Sequence, residues 1–310
     1  MLQHDRAFEP HWGVAVPVAP RVRRITAENP GPFTFHGTNS YLVGDAGAVA
    51  VIDPGPDDPR HLAALLAAIG GAPVSHILVT HTHRDHSPGA AALAAATGAP
   101  TLAAGPHRPA RPPRPDETAR LDAGGDTAFV PDVVLTDGAV VAGDGFALTA
   151  VATPGHTGNH LAFALDGAEW LFSGDHVMAW STSIVAPPDG AMADYMASLA
   201  RLAARPERAY LPGHGGPVVA APSYVAALAE HRRGRERAIR ARLTAGDDTI
   251  PAIVRAVYVG LDPALAGAAG LSVLAHLEDL VARGLVAADP LPTLAARYRP
   301  QRRPGPILQE

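Results

Sequence analysis

Cysteine and lysine are both absent from the 310 residues, so all 25 basic residues are arginine. Without lysine there is no Schiff-base chemistry, no pyridoxal anchor and no phosphate-loop lysine. Without cysteine there is no disulfide, thiolate nucleophile, iron–sulfur ligation or thiolate zinc site. Any metal site must therefore use imidazole and carboxylate, and the chain carries 15 histidines and 30 acidic residues. Long apolar runs are also missing: no stretch reaches the ~18 uninterrupted apolar residues of a membrane span. Met1 to Arg6 lacks the charged-then-apolar layout of a signal peptide. A cytoplasmic chain with no membrane association is the expectation. There is no Gly-x-Ser-x-Gly elbow, dinucleotide fingerprint or Walker sequence. Hydrophobic content of 47% and charged content of 18% suit an ordinary globular protein. The length fits one large domain or two unequal ones, at roughly 100–200 residues each.

Short β-branched runs alternate with alanine- and leucine-rich segments, the pattern of an α/β chain. Val49 to Ile52 reads as a buried strand ending at Asp53-Pro54-Gly55. Asp58 can cap a helix with Pro59 at its first position and Leu62, Leu65, Leu66 and Ile69 on one face, closed by Gly70. Val74 to Thr80 is the next strand, followed by a polar run and a helix through Thr97. Five prolines within residues 105–117 exclude regular structure and predict a surface loop or lid. Residues 133–172 read mostly as strand, with a hairpin at Asp166-Gly167. A helix near Met192 to Ala203 and a strand at Ala209 to Leu211 follow.

Beyond Pro222 helices dominate, and Arg232, Arg233, Arg235, Arg237, Arg240 and Arg242 crowd one segment. Up to residue 225, 13 arginines against 21 acids leave −8; beyond it, 12 against 9 give +3. This change divides the chain into a catalytic domain at 1–225, a small C-terminal domain at 226–298 and a tail at 299–310.

The chemistry concentrates in Thr80-His81-Thr82-His83-Arg84-Asp85-His86. In an extended chain residues i and i+2 point the same way, so His81 and His83 can grip one ion together. Asp85 and His86 offer a second pair to a second ion. His156, Asp175 and His214 each follow a predicted strand, beside glycines that permit tight turns. Ligands at the ends of successive strands converge on one edge of an α/β core. Imidazole and carboxylate suit zinc, and equally manganese or iron.

This ordered set resembles the metallo-β-lactamase superfamily: His-x-His-x-Asp-His at 81–86, then His156, Asp175 and His214, with the early Asp53-Pro54-Gly55 turn. The resemblance covers roughly residues 20–220 and implies an αββα sandwich with two divalent ions, usually zinc. It assigns His81, His83 and His156 to the first metal, Asp85, His86 and His214 to the second, and Asp175 as the bridge. Residues 153–160 and the C-terminal segment resemble the lactamase-beta-like branch that ends in a winged helix, a branch that includes an endoribonuclease. Thr249 to Tyr258 and Leu271 to Arg283 then become two short helices, and Gly284-Leu285-Val286 the start of the wing. Two groups of true metallo-β-lactamases place cysteine where Asp175 stands, and this chain has none.

The implied activity is hydrolysis by a metal-bridging hydroxide, with Asp85 orienting the nucleophile. The arginine-rich winged helix favours phosphodiester cleavage of single-stranded RNA, although the −8 of the catalytic part opposes a polyanion. The alternative is a small acyl substrate: a thioester, lactone or β-lactam. Homodimerisation is left open. Asn39, Tyr41, His160, His176 and Ser183 are further candidates beside the metals or the substrate, and residues 178–190 are expected to line the pocket. His4, His11, His61, His107, His231 and His276 are expected to be solvated, and His76 to pack in the core.

Overall fold

The computed structural model describes residues 2–114, 117 and 124–301. Part of the proline-rich loop and the last nine residues of the expected tail lie outside the described residues.

Two mixed sheets form the centre of the catalytic part. The first holds β1 (Val16–Ala19), β2 (Val22–Thr26), β3 (Asn39–Gly44), β4 (Val49–Ile52), β5 (Val74–Leu78), β6 (Thr101–Ala103) and β7 (Val133–Val134), in that spatial order. Pairing is antiparallel from β1 to β4 and parallel from β4 to β7. The parallel part needs crossovers, and α1 (Pro59–Ile69) and α2 (Gly89–Thr97) provide two of them. The second sheet runs β12 (Ala209–Pro212), β11 (Trp170–Gly174), β10 (Leu161–Leu165), β9 (Phe146–Ala152), β8 (Val140–Gly143). Only β11 and β12 are parallel, joined through α3 (Met192–Ala203).

Side-chain alternation sorts these strands into layers. Leu42, Val49, Val51 and Ile77 face α1 and α2, meeting Leu65, Ile69 and Leu93. Tyr41, Val43, Ala50 and Ile52 face the other way and pack between the sheets against Leu148, Leu161, Phe163 and Phe172. The outer face of the second sheet, with Ala162, Leu171 and Tyr210, buries Tyr195 and Leu199 of α3 and Val225 and Leu228 of α4 (Ala221–Thr244). The result is the αββα sandwich.

Local chemistry sets the boundaries of α1. Asp58 accepts a hydrogen bond from the Arg60 N–H, Pro59 occupies the first turn, and Gly70 closes the helix with φ 65°. Helix α4 runs without a break past residue 225, where the charge changes sign. It joins α5 (Ile250–Val257) and α6 (Ala266–Ala282), with β13 (Val286–Asp289) and β14 (Arg297–Pro300) as the wing hairpin. Helix α6 begins five residues earlier than the sequence predicts, because a 3₁₀ turn at Pro263–Leu265, capped by Asp262, leads straight into it. Arg299 and Pro300, expected in the tail, instead pair with Ala287 and Val286.

Residues Pro263–Ala282 are long and apolar enough to cross a membrane, by length and composition alone. Their Leu271, Val273, Leu274, Leu277 and Leu280 form the C-terminal core with Ile239, Ile250, Ile253 and Tyr298. This unit is tied back to the proline-rich loop, since Glu278 of α6 pairs with Arg111 at 2.7 Å and with Arg114 at 2.9 Å. The expected surface loop is therefore anchored at one side of the pocket described below.

Candidate metal centre

The turn after β4 organises the site. Asp53 adopts φ 52°, the left-handed region that aspartate tolerates better than most residues. Its Oδ1 accepts the Thr80 N–H at 2.7 Å, and its Oδ2 accepts the Thr80 hydroxyl at 2.7 Å. Oδ2 also lies 2.9 Å from His86 Nδ1. Asp53 thus holds both ends of the polar run that follows β5.

Five imidazoles converge from three loops, and Asp175 comes from a fourth. His81 Nε2 lies 3.1 Å from His83 Nδ1, and His156 Nε2 lies 3.0 Å from the same His83 nitrogen. Beside them, His86 Nε2 and His214 Nε2 approach to 3.3 Å. Asp85 Oδ2 is 3.2 Å from His214 Nε2 and 3.3 Å from His86 Nε2. Asp175 sits between the two groups: Oδ1 is 3.6 Å from His86, while Oδ2 is 3.3 Å from His214 and 3.7 Å from His156. His81, His83 and His156 form one set whose ligand atoms lie within 4.8 Å of one another, and Asp85, His86 and His214 form another.

Four of the five rings commit their other nitrogen elsewhere. His81 Nδ1 is 3.0 Å from the Thr80 hydroxyl, His156 Nδ1 is 2.6 Å from the Ile184 carbonyl, and His214 Nδ1 is 3.1 Å from the Gly37 carbonyl. His86 Nδ1 is taken by Asp53. These contacts orient the rings with their remaining nitrogens turned inward, the arrangement metal-binding histidines adopt. Asp175 Oδ1 is enclosed without a hydrogen-bond partner among the described residues. Imidazole nitrogens and ionised carboxylate oxygens turned onto one small space are the donors a divalent ion takes, so the donor set fits one. Close backbone approach is required as well: a Cβ on Gly213 would stand 2.4 Å from Asp175 Oδ1 and 2.6 Å from His86 Cε1.

Electrostatics split the cluster. Burial pushes the His81 pKa well below its usual value, aided by the neighbouring His86 and His83. His156 is lowered to about 4 by burial and by His83. His214 behaves oppositely: burial lowers it, but Asp175 and Asp85 outweigh burial and raise it to about 10. Burial alone would raise Asp85 and Asp175, yet the facing histidines hold both well below the usual carboxylate range. The carboxylates are therefore ionised at neutral pH and demand positive charge in their midst.

The cluster opens into a cavity of about 650 Å³. His83, Asp85, His156, Asp175 and His214 line one end. Residues of the loop 178–190 line a second wall, and Tyr258, Leu261, Leu265 and Leu271 of the C-terminal unit line a third.

Residues 33–214 match the metallo-beta-lactamase superfamily, and residues 249–291 match the beta-lactamase associated winged helix domain. The chain belongs to the metallo-beta-lactamase superfamily. A lactamase-like protein from Penicillium aethiopicum is 32% identical over 270 residues, spanning 83% of this chain and 80% of that one. A thioesterase from Emericella nidulans is 32% identical over 224 residues, or 72% of this chain and 58% of the relative. Among solved structures, a metallo-beta-lactamase family protein from Thermus thermophilus superposes with a TM-score of 0.75 at 25% identity, covering 92% of this chain and 100% of its own. This metallo-beta-lactamase superfamily member is a hydrolase with a His/Asp metal site.

The remaining candidates of this superfamily member divide by what they touch. Asn39 Nδ2 donates to the carbonyls of Pro212 at 3.1 Å and Gly215 at 2.9 Å, and the Tyr41 hydroxyl donates to Pro212 at 2.7 Å. Both brace the turn that carries His214. His160 accepts the Asp175 N–H at 3.2 Å and stacks on His81. The Ser183 hydroxyl donates to the His176 carbonyl at 2.7 Å, and both ring nitrogens of His176 are buried without partners among the described residues. Sequence reasoning missed Asp189, whose carboxylate lies 3.7 Å from His83 Nε2 and 3.4 Å from His107 Nε2. The only available signal was a lone acid in a loop expected to line the pocket.

The solvated assignment fails for four histidines, of which His231 is half-buried on α4. His61 is buried against the Ser40 hydroxyl, His276 is enclosed where α6 meets α4, and His107 is half-buried beside Thr82 and Asp189. A single exposed-looking letter carries no information about which face its element presents. His76 is half-buried on β5 rather than packed in the core.

Proposed function

We propose that this protein is a dinuclear, zinc-dependent hydrolase of acyl thioesters. The observation that carries the reading is the cavity: the His/Asp cluster forms one end of a space whose other walls include Met178, Trp180, Leu261, Leu265 and Leu271. Burying an apolar acyl chain there is favourable by roughly 25 cal/mol per Å². Relatives add support, since the names of two matched proteins describe thioesterases, one from Emericella nidulans and an atrochrysone carboxyl ACP thioesterase from a Cryptosporiopsis species.

The single-stranded RNA reading loses its motive on the same surface. Arg233 and Arg237 pair with Glu230, Arg242 pairs with Asp247, and Arg235 donates to the Val257 carbonyl. Arg232 points inward and is buried. Five of the six arginines thus have a partner within the fold, and Arg240 alone is exposed without one among the described residues, which is little of a track for phosphates.

His81, His83 and His156 would hold one ion and Asp85, His86 and His214 the other, with Asp175 standing between the two sets. Ions held there supply Lewis acidity, lowering the pKa of water and drawing charge from the carbonyl oxygen. Asp85 is the least buried of the seven, and its contacts with Thr38, His86 and His214 all fall on Oδ2. Oδ1 is then available to accept the proton of the attacking water and return it to the departing thiolate as the carbon–sulfur bond breaks. The apolar walls exclude bulk water from the acyl group.

The test is a metal-loaded activity panel of thioester, lactone, β-lactam and single-stranded RNA substrates. Chelator-sensitive thioester hydrolysis is expected to dominate. Chelator-sensitive RNA cleavage with no thioester turnover overturns the reading.

A further inference from the structure

A buried cation stands in the wall of the same cavity. Arg232 of α4 is 4% exposed, and no carboxylate pairs with it among the described residues. Its neighbours on the helix differ, since Arg233, Arg237 and Arg242 each reach an acid. One Arg232 Nη2 donates to the Ser183 carbonyl, and the guanidinium lies over the Tyr195 ring, 5.1 Å from its centroid. Nε is enclosed with no acceptor among the described residues. A guanidinium stays charged inside proteins, and enclosing one with a single neutral hydrogen bond is costly.

The position of this cation is as informative as its isolation. Arg232 lines the cavity together with Ser183, Ile184 and Leu271. The residue after its acceptor, Ile184, supplies the carbonyl that holds His156 Nδ1 at 2.6 Å. The guanidinium is thus built into the wall that carries the metal cluster, with apolar surface around it. A planar fork of donors matches a carboxylate better than any other common anion.

We infer that Arg232 binds a second anionic group of the substrate, so that the acyl part of the thioester ends in a carboxylate. The inference rests on the thioester reading, but the anion site can be tested without turnover. Calorimetric titration of the metal-loaded protein with the α,ω-dicarboxylates from succinate to suberate, each against the monocarboxylate of equal length, scans the span from the cluster to Arg232. At one chain length or more, the diacid should bind at least tenfold tighter than its monoacid, and Arg232→Gln should remove that preference. No preference at any length, or one that survives Arg232→Gln, overturns the inference.

A second measurement keeps the test open should Arg232→Gln fail to fold. With ¹⁵N-labelled arginine, the Arg232 Nε–H resonance, identified by its loss in Arg232→Lys, should move when the preferred diacid is added and stay still with the monoacid. An unmoved resonance also overturns the inference. A diacid preference dependent on Arg232 with no thioester turnover refutes the thioester reading and leaves the anion site standing. Turnover of neutral acyl thioesters with no diacid preference does the reverse.

Discussion

Asp53 Oδ2 and His86 Nδ1 lie 2.9 Å apart, and the same oxygen accepts the Thr80 hydroxyl at 2.7 Å. One carboxylate from the turn after β4 therefore orients a ring of the metal cluster and anchors the loop that carries three more of its side chains.

Asp53→Asn tests this relationship cleanly. Asparagine keeps the shape and tolerates the left-handed backbone, so the turn survives while the charge behind His86 is lost. Metal affinity is expected to fall about 10–100-fold, the usual result of removing a carboxylate behind a metal-binding histidine. Competition against a chromophoric chelator measures it, and an unchanged affinity would mean that the contact is structural only.

His81→Ala removes a ring whose Nε2 faces His83 Nδ1 at 3.1 Å. Metal content per chain, read by plasma emission, should drop, and most turnover should go with it. Chelating the unaltered protein should lower its Tm by several degrees, since free metal at 1,000 times Kd stabilises a folded protein by about 4 kcal/mol. A chain that holds its full metal content after His81→Ala would refute the ligand assignment.

Asn39 and Tyr41 brace the same turn unequally. Tyr41→Phe deletes one buried donor, but the Pro212 carbonyl keeps its bond from Asn39, so the cost should be about 1 kcal/mol. Asn39→Ala strands the Gly215 carbonyl and the Thr26 hydroxyl together, and should cost about 2–3 kcal/mol. Urea unfolding at neutral pH ranks the two, and the reverse order would show that the His214 turn is held by other contacts.

His276 makes stability depend on pH. Burial, with Arg232 and Arg235 nearby, lowers its pKa to about 3 in the folded chain against an ordinary 6.5. Between those values the unfolded chain binds a proton that the folded chain refuses, so stability falls as pH drops from 6.5 toward 3. One such group contributes up to about 1.4 kcal/mol per pH unit. His276→Leu should flatten this part of the profile when urea midpoints at pH 7 and pH 5 are compared, and an equal drop in both proteins would assign the effect to other groups.

Much of this molecule was legible in one dimension because its signals are local. The Asp58 cap, Pro59 and Gly70 mark α1 through bonds that span a few residues. The His81–His86 spacing carries its chemistry within six residues, and His156, Asp175 and His214 stand out because each follows a short apolar strand beside glycine. The winged helix was legible in outline, but the start of α6 was not, because the turn at Asp262 gives no strong apolar periodicity.

Residue types and spacing by themselves determined that a metal site here must be made of imidazole and carboxylate, and where along the chain its parts lie. Only the tertiary structure decided the second contacts of three rings, because those partners come from loops far away in sequence: Ile184 for His156, Gly37 for His214, Asp189 for His83. It also decided that Arg232 turns inward while Arg233 faces solvent. The two are neighbours in sequence and identical in chemistry, and only the packing of α4 against the second sheet and α6 separates a buried cation from a solvated one.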